Sequence, residues 1–182
     1  MKRYLSLRFN RMLSEAEASA LAADARAAGW RVELRRNERF ARTYALLSAE
    51  GENVTDASFS GHGEVSRCAD SLIALSIEAD AAEGLVSVVS ALTGEGAPDG
   101  ILCAEVLERD LLVEFLPART SWRLVRALID VELERYGSRV RRTTLLSPLA
   151  PQAETHIAAD GLQEPELDES RVLEALLGDA DR

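Results

Sequence analysis

The order of strand-like and helix-like patterns repeats along this chain, and that repetition limits the folds it can adopt. A strand pattern alternates apolar and polar residues, whereas a helix pattern places apolar residues three or four positions apart. Residues 4–48 give the order strand, helix, strand, strand, and residues 71–146 give strand, helix, strand, strand, helix, strand. Two units of similar order predict an α+β chain built from a duplicated unit, with helices on one face of an antiparallel sheet.

Local signals support the elements of the first unit. Leu5, Leu7 and Phe9 alternate with polar residues in the first strand. Ser14 and Glu17 have the spacing of a capping box, in which each side chain bonds the other residue's backbone amide. The alanine-rich segment that follows is therefore predicted to begin as a helix at this point.

The second unit contains two helix patterns. Residues 81–93 place several apolar side chains on one helical face. A longer helix is predicted from about Thr120 to Tyr136. Its apolar stripe consists of Trp122, Val125, Ile129, Leu133 and Tyr136. We expect both helices to bury these faces against the strands of their own unit.

The pattern order divides the chain into segments. They are an N-terminal β-α-β-β unit at 1–49, a connecting loop at 50–70, a β-α-β-β-α-β unit at 71–147, an acidic linker at 148–168 and a short C-terminal helix at 169–178. The connecting loop is rich in glycine and serine and has room for one short element. The linker is rich in proline, alanine and acidic residues and shows little periodicity.

The second unit resembles a known fold and, within it, a regulatory family. Residues 71–146 resemble the ferredoxin-like sandwich, in which two helices lie on one face of an antiparallel sheet. Inside this unit, Asp80–Gly100 is similar to the ACT domain, a module that senses amino acids. The residues that match the family's acidic position, turn glycine, apolar helix and later glycine are Asp80, Gly84, Leu85–Leu92 and Gly94 or Gly96. The resemblance implies a ligand at the strand-to-helix turn, lined by Asp80, Glu83 and Gly84.

The same turn has a second interpretation that needs no ligand. Asp80 and Glu83 also have the spacing of a capping box, so Asp80 would accept a hydrogen bond from an amide at the start of the helix. Such a cap stabilises a helix by about 1 kcal/mol. Two carboxylates at the positive end of the helix dipole would repel an anionic ligand unless a cation lay between them. The residues alone leave both interpretations open.

Charge is distributed unevenly along the chain. The net charge is −10, which disfavours a general nucleic-acid binder. Residues 1–45 carry ten basic and five acidic side chains, whereas residues 46–118 carry two basic and fourteen acidic ones. Residues 119–142 are basic again, and residues 143–182 are acidic. Such blocks predict that oppositely charged surfaces meet within the chain or between subunits, although each block can also form a solvated face.

Three arginines on the longer predicted helix form a candidate partner site. They are Arg119, Arg123 and Arg126, which lie largely away from the apolar stripe. Guanidinium groups in such a cluster bind phosphate, nucleic acid or an acidic peptide. The alternative is that they pair with acidic residues of their own chain.

The short C-terminal helix is a second candidate partner site. Its apolar face consists of Val172, Leu173, Leu176 and Leu177. A helix this short is marginal alone in water, so we expect it to fold by docking. Its own domain, another subunit and a partner protein are the surfaces on which it can dock.

The sequence contains no pattern for catalysis, a cofactor or a metal. It lacks a glycine-rich phosphate loop, an HExxH pattern, a serine–histidine–aspartate context and paired cysteines. His62 and Cys68 are close in sequence, but a zinc site needs three or four ligands. We therefore predict no catalytic residue, no metal site and no cofactor.

Two further features bear on where the chain works. No apolar run approaches the ~20 residues that a membrane-spanning helix needs, and the N-terminus lacks the long apolar stretch of an export signal. The two cysteines, Cys68 and Cys103, have no metal-like spacing. We expect a cytoplasmic protein with reduced thiols.

These features predict a non-catalytic cytoplasmic protein-binding module, such as an adaptor, an immunity-type inhibitor or an assembly factor. It would use its charge-segregated surface and its C-terminal helix to bind a protein partner, with homodimerisation left open. The first alternative is a sensor of the ACT type that binds a small, amino-acid-like molecule. The second is an enzyme or nucleic-acid processor on the same fold, using His62 and the arginines.

Overall fold

A computed structural model describes residues 2–51, 59–68 and 71–159. The strands are β1 (Lys2–Phe9), β2 (Arg31–Asn37), β3 (Arg42–Glu50), β4 (Ser66–Cys68), β5 (Ile73–Ala79), β6 (Ile101–Leu107), β7 (Asp110–Phe115) and β8 (Val140–Leu145). The helices are α1 (Glu15–Ala27), α2 (Leu85–Thr93), α3 (Trp122–Glu134) and α4 (Pro151–Ala159). None of the helices in this described part of the chain is long and apolar enough to cross a membrane.

Two four-stranded antiparallel sheets form the framework. The first has the strand order β2-β3-β1-β4, and the second has the order β6-β7-β5-β8. Each sheet places the third strand of its unit beside the first, with the second and fourth strands at the edges. This is the strand order of a ferredoxin-like unit. The predicted α+β fold with a duplicated unit is confirmed.

The first sheet is completed by a strand inside the segment predicted as a connecting loop. β4 is three residues long and pairs with β1 so that Arg67 lies opposite Leu7. A short 3-10 turn, Ser60–His62, precedes it, and Phe59 beside that turn is fully buried in the first core. In the second unit the equivalent edge strand, β8, follows helix α3. The two units therefore share a strand order but cover their sheets differently.

Helix α1 covers one face of the first sheet. Leu7 and Phe9 of β1 pack with Leu21 and Ala25 of α1, and all four side chains are buried. Leu7 and Phe9 point to the same face because side chains alternate along a strand. The alternate residues of β1, Ser6 and Arg8 among them, consequently face the other side of the sheet.

The predicted capping box at the start of α1 is confirmed. Ser14 Oγ accepts a hydrogen bond from the Glu17 amide at 3.3 Å, and the Glu17 carboxylate accepts one from the Ser14 amide at 2.8 Å. Arg11 adds an ion pair with Glu17 at 2.8 Å. These bonds lower the pKa of Glu17 from 4.5 to about 2, and the hydrogen bond from the Ser14 backbone has the largest effect.

Helices α2 and α3 cover one face of the second sheet. Val88 of α2 and Ile129 of α3 are fully buried with the strands in one core. The rings of Phe115 and Trp122 stack within it, with their centroids 6.3 Å apart. The stripe predicted for the longer helix is wrong at its last member, because Tyr136 lies beyond the end of α3 and is 55% exposed.

The two sheet faces that carry no helix pack against each other. We call this interface the inter-sheet seam. Its buried apolar residues are Phe40, Tyr44, Leu72, Ala74, Leu112 and Leu146. This cluster joins β3 of the first sheet to β5 and β7 of the second. The sheets therefore lie inside the molecule, and α1, α2 and α3 lie outside.

The structure differs from the linker predicted at 148–168, because the first part of that segment forms helix α4. Leu149, Ala153 and Ile157 are spaced four residues apart and therefore share one side of the chain. All three are buried with the second core. The pattern is inconspicuous in the sequence because only two large apolar side chains mark it. The helix is stabilised by packing on a distant part of the chain.

Residues 160–182 lie outside the described residues. They include the rest of the predicted linker and the helix predicted at 169–178, with the apolar residues Val172, Leu173, Leu176 and Leu177.

Candidate functional site

The turn predicted to bind a ligand, Asp80–Gly84, connects β5 to α2. Helix α2 begins at Leu85, and its N-cap is Gly84, which has a left-handed φ of +91° and makes no side-chain cap. The predicted capping box of Asp80 and Glu83 is therefore wrong. A left-handed glycine starts this helix, and the Asp80 side chain bonds elsewhere.

Long-range hydrogen bonds hold this turn against the connection between α3 and β8. The Asp80 carboxylate accepts a hydrogen bond from Arg139 Nε at 2.7 Å, and the Asp80 amide donates to the Arg139 carbonyl at 3.0 Å. The Ala81 amide donates to Ser138 Oγ at 3.3 Å. The Asp80 carboxylate, which the ACT resemblance would assign to a ligand, is thus bonded to the protein itself.

Gly84 has a packing role in the same contact. A β-carbon placed on Gly84 would lie 2.9 Å from Cδ2 of Tyr136, closer than two carbon atoms can approach without displacement. The Tyr136 ring therefore lies directly over the glycine. This close approach explains why a residue without a side chain stands between β5 and α2.

A cleft lies beside this turn. It has a volume of about 600 Å³ and is lined by Asp80, Asp130, Glu134, Gly137, Ser138 and Arg139. Of the three residues that the resemblance assigns to a ligand, Asp80 borders this cleft, whereas Glu83 and Gly84 are not among its lining residues. Two of the three lining acids have cationic partners: Asp80 pairs with Arg139, and Asp130 accepts from Arg126 Nε at 2.8 Å.

The inter-sheet seam holds a buried polar cluster that the sequence reasoning missed. Glu114 is fully buried and accepts a hydrogen bond from the Tyr44 hydroxyl at 2.6 Å. Arg8 Nε lies 2.5 Å from the second Glu114 oxygen. Burial acts to lower the pKa of Arg8, but the attraction of Glu114 outweighs it, and the pKa is raised. Burial, followed by the nearby carboxylate of Glu114, raises the pKa of Tyr44.

Ion pairs continue across the rim of the seam. Arg42 pairs with Glu105 at 2.7 Å, and Arg39 pairs with Asp110 at 2.5 Å and with Glu108 at 3.2 Å. The basic block at 1–45 therefore meets the acidic block at 46–118 within one chain. The prediction that oppositely charged surfaces meet is confirmed in its intramolecular form, so part of the charge-segregated surface is used to join the two sheets.

Of the three arginines proposed as a partner site, Arg119 precedes α3, whereas Arg123 and Arg126 lie in its first turns. Arg119 is 3.5 Å from Asp99, and Arg126 pairs with Asp130 one turn away. Arg123 is exposed on the helix between them. Intramolecular pairing, the alternative raised from the sequence, therefore engages Arg119 and Arg126.

Helix α3 also exposes an apolar row that the sequence reasoning missed. We call Leu124, Leu128 and Val131 the α3 row. Leu124 is 47% exposed and Val131 is 50% exposed, and Leu128 between them is half-buried. Their spacing of four and three residues places them on one side of the helix. The signal was present in the sequence, but it lay beside the longer stripe that fills the core.

The residues considered for chemistry are not brought together. His62 Nε2 lies 2.8 Å from Oδ2 of Asp24 on α1, whereas Cys68 packs at the edge of the seam cluster. Burial raises the pKa of the Cys103 thiol. Within residues 2–51, 59–68 and 71–159, no three histidine, cysteine, aspartate or glutamate side chains are grouped so that they could hold a metal ion.

Comparison with known proteins adds little to this geometry. No family model matches the chain, and no curated protein matches it. Among solved structures, it is similar to the N-terminal soluble domains of CopA from Bacillus subtilis, with 12% sequence identity and a TM-score of 0.30, covering 80% of this chain and 94% of that one. This similarity carries no inference about function. The ferredoxin-like assignment made above follows from the strand order of each sheet.

Proposed function

We propose that this chain is a protein-binding module that docks a partner on the solvent-facing side of α3. The observation that carries the proposal is the α3 row, in which Leu124 and Val131 are exposed on either side of Leu128, whose side chain packs partly against the second core. Contiguous exposed apolar side chains on a folded domain mark interaction surfaces, whereas single ones do not. An adaptor, an immunity-type inhibitor and an assembly factor all work through such a surface.

The geometry of the row favours a helical partner. The buried stripe of α3 already packs on the second sheet, so the row is not needed to hold the helix in place. Side chains at spacings of four and three form the ridge that one helix inserts between the side chains of another. A partner helix with its own apolar stripe would bury Leu124 and Val131 and complete the burial of Leu128.

The surroundings of the row suit an acidic rim on the partner. Arg123 is exposed next to Leu124, and Arg135 follows the row with 64% of its side chain exposed. Charges at the rim of an interface mainly set the rate of association and its salt dependence. In this proposal the same partner also binds a second set of apolar residues near the C-terminus. They are Val172, Leu173, Leu176 and Leu177.

The test is recovery of a partner from the native host with matched variants. Tagged full-length protein is purified gently and examined by native mass spectrometry, alongside Val131→Glu and Val86→Glu. Val86 is 74% exposed on α2, so Val86→Glu adds the same charge on a different helix. We expect a stoichiometric protein partner with the unaltered chain and with Val86→Glu, and its loss with Val131→Glu. Equal recovery with all three, or no partner with any, would refute the α3 row as the docking surface.

A truncation tests the contribution of the C-terminal residues. The chain must be cut after Ala159, because Leu149, Ala153 and Ile157 belong to the second core. We expect the truncated protein to keep its melting temperature and to bind the recovered partner more weakly. Unchanged affinity would remove residues 160–182 from the proposal and leave the α3 row.

A small-molecule sensor remains the second candidate, favoured by the cleft beside Asp80. A carboxylate and a guanidinium, those of Asp80 and Arg139, border it together, and a zwitterionic amino acid carries the opposite charge for each. The ligand would have to compete with the Asp80–Arg139 pair. The experiment is a thermal-shift screen of amino acids and nucleotides, in which Asp80→Ala should abolish any stabilisation. If no compound shifts the melting temperature of the unaltered protein, this candidate is eliminated.

A further inference from the structure

Helix α2 and strand β6 together form a surface that is almost free of charge. We call these two elements the neutral flank. α2 has nine residues and β6 has seven, and Glu105 is the one charged residue among them. Charged residues make up 29% of the whole chain, so a solvent-facing helix and strand with a single charge are unusual. The cores of protein interfaces show the same depletion of charge.

The apolar side chains of the neutral flank are exposed. Val86 of α2 is 74% exposed, and Leu102 and Leu107 of β6 are 42% and 40% exposed. α2 packs beside β6 on the helical face of the second sheet. Exposed apolar residues therefore occur on both elements that border this edge of the second sheet.

β6 is an edge strand whose protection is limited to one charged residue and one bulge. Among the strands that the structure describes, it pairs with β7 alone, so alternate backbone amides and carbonyls point away from the sheet. Proteins normally protect such edges with charges, with proline or by keeping the strand short. The edge β2 carries Arg31, Glu33, Arg35 and Arg36, β8 carries Arg141 and Arg142, and β4 has three residues. β6 has a bulge between Ile101 and Cys103, which leaves the remainder of the strand regular.

The polar side chains Ser90, Thr93 and Glu105 of the neutral flank already have partners within the chain. Ser90 Oγ donates to the Val86 carbonyl at 3.1 Å, and Thr93 Oγ1 donates to the Val89 carbonyl at 2.8 Å. The Glu105 carboxylate pairs with Arg42 at 2.7 Å. A second protein surface could therefore cover this flank without burying a hydroxyl or a charge that has no partner.

We propose that the chain forms a symmetric dimer in which β6 pairs antiparallel with β6 of a second copy. A two-fold interface brings each surface against itself, so a flank that carries one compensated charge is compatible with its own copy, whereas β2 and β8 would each bring two or more arginines into such a pairing. If the strand pairing is centred on Ala104, Glu105 lies opposite Cys103 of the partner subunit. If it were centred on Glu105, the two Glu105 carboxylates would lie opposite each other, which is unfavourable. The second sheet of one copy then continues into the second sheet of the other. Helix α2 of each copy lies beside the new strand pair.

This dimer goes beyond the proposed function, because it uses a different surface from the α3 row. Each dimer would present two α3 rows. Each row would hold its own partner, so loss of the dimer leaves the binding of each row unchanged.

The first test is the mass of the purified full-length chain and three variants by sedimentation equilibrium and native mass spectrometry. We expect the unaltered chain at about twice its mass of 19.8 kDa. Val86→Glu places two like charges near the two-fold axis, and Leu102→Lys supplies the edge lysine that β6 lacks. Both should have the monomer mass, and Val131→Glu, the matched control on α3, should remain a dimer. Thermal unfolding by circular dichroism checks that all variants fold.

The second test locates the interface by hydrogen exchange. Raising the protein concentration should slow exchange of β6 amides in the unaltered chain and leave the β2 and β8 amides unchanged. In Val86→Glu, concentration should have no effect on β6. The proposal would be overturned if the unaltered chain were a monomer, or if the dimer survived both edge variants. It would also be overturned if Val131→Glu lost the dimer as well, or if the protected amides lay in β2 or β8. Because Val86→Glu addresses the dimer and Val131→Glu addresses partner binding, failure of one proposal is separable from failure of the other.

Discussion

Single residues decide how the candidate ligand turn is built. The sequence shows an acidic residue and a glycine at suggestive positions, but spacing along the chain reports only local partners. Asp80 bonds Arg139, which is 59 residues away, and Gly84 packs against Tyr136. The turn could therefore be located from the sequence, whereas its contacts could not, because they depend on how α3 returns to the turn.

Gly84→Ala should destabilise the protein more than the same change at Gly96. Both glycines have left-handed φ angles, +91° and +89°, but only at Gly84 would the new carbon meet a neighbour. Backbone strain of this kind costs about 1–3 kcal/mol, and the contact with Tyr136 adds to it only at Gly84. Urea unfolding of the two variants measures the difference. Equal losses would show that the tyrosine moves aside without cost.

The capping box of α1 should make stability depend on acid pH through Glu17. Its pKa is about 2 in the folded protein and is ordinarily 4.5, so folding favours the ionised form. The resulting stabilisation is complete above the ordinary value and is lost as the pH falls toward about 2. Melting temperatures of the unaltered protein and Glu17→Gln should therefore differ most at neutral pH and converge in acid. A constant difference down to pH ~2 would contradict this assignment.

At the scale of elements, those with a strong repeating pattern could be predicted from the sequence. α1, α3 and the long strands follow from apolar periodicity and capping residues. β4 and α4 could not be predicted in the same way, because three residues of strand and a helix with few large apolar residues have weak local signals. β4 exists by pairing with β1, and α4 exists by packing on the second core. Both depend on partners that are distant in sequence.

Ile157→Ala should show that α4 is part of the folded domain. Ile157 is buried with the second core, and removing a large aliphatic side chain from such a site costs about 2–5 kcal/mol. Thr155→Ala is the control, because Thr155 is exposed on the same helix and a surface change is usually within about 0.5 kcal/mol. The free energy of unfolding in urea is the measurement. Equal, small losses in both variants would mean that α4 does not contribute to the core.

At the scale of the whole molecule, the inter-sheet seam joins the two units. The uneven charge along the sequence correctly predicted that opposite charges meet. It could not show which arginine faces which acid, nor that Glu114 would be fully buried beside Tyr44. In the sequence Glu114 stands in an apolar strand pattern, and a charge in that position was the available signal for a buried pair.

Arg8→Met should destabilise the protein by about 3–5 kcal/mol, because it leaves the buried Glu114 charge without its cationic partner. Adding Glu114→Gln removes that charge and keeps an acceptor for the Tyr44 hydroxyl. The double variant should therefore be more stable than Arg8→Met alone. A double-mutant cycle by urea unfolding gives the coupling between the two residues. Additive losses would mean that the pair contributes nothing beyond its separate members.

The seam also limits how either half of the chain can associate with a copy of itself. One half contributes Arg8, Arg39 and Arg42, and the other contributes carboxylates, among them Glu105 and Glu114. A copy of either present-day half stacked on itself through this face would bring like charges together, which is unfavourable. The charge division therefore favours joining two unlike halves in one chain over stacking two copies of the same half.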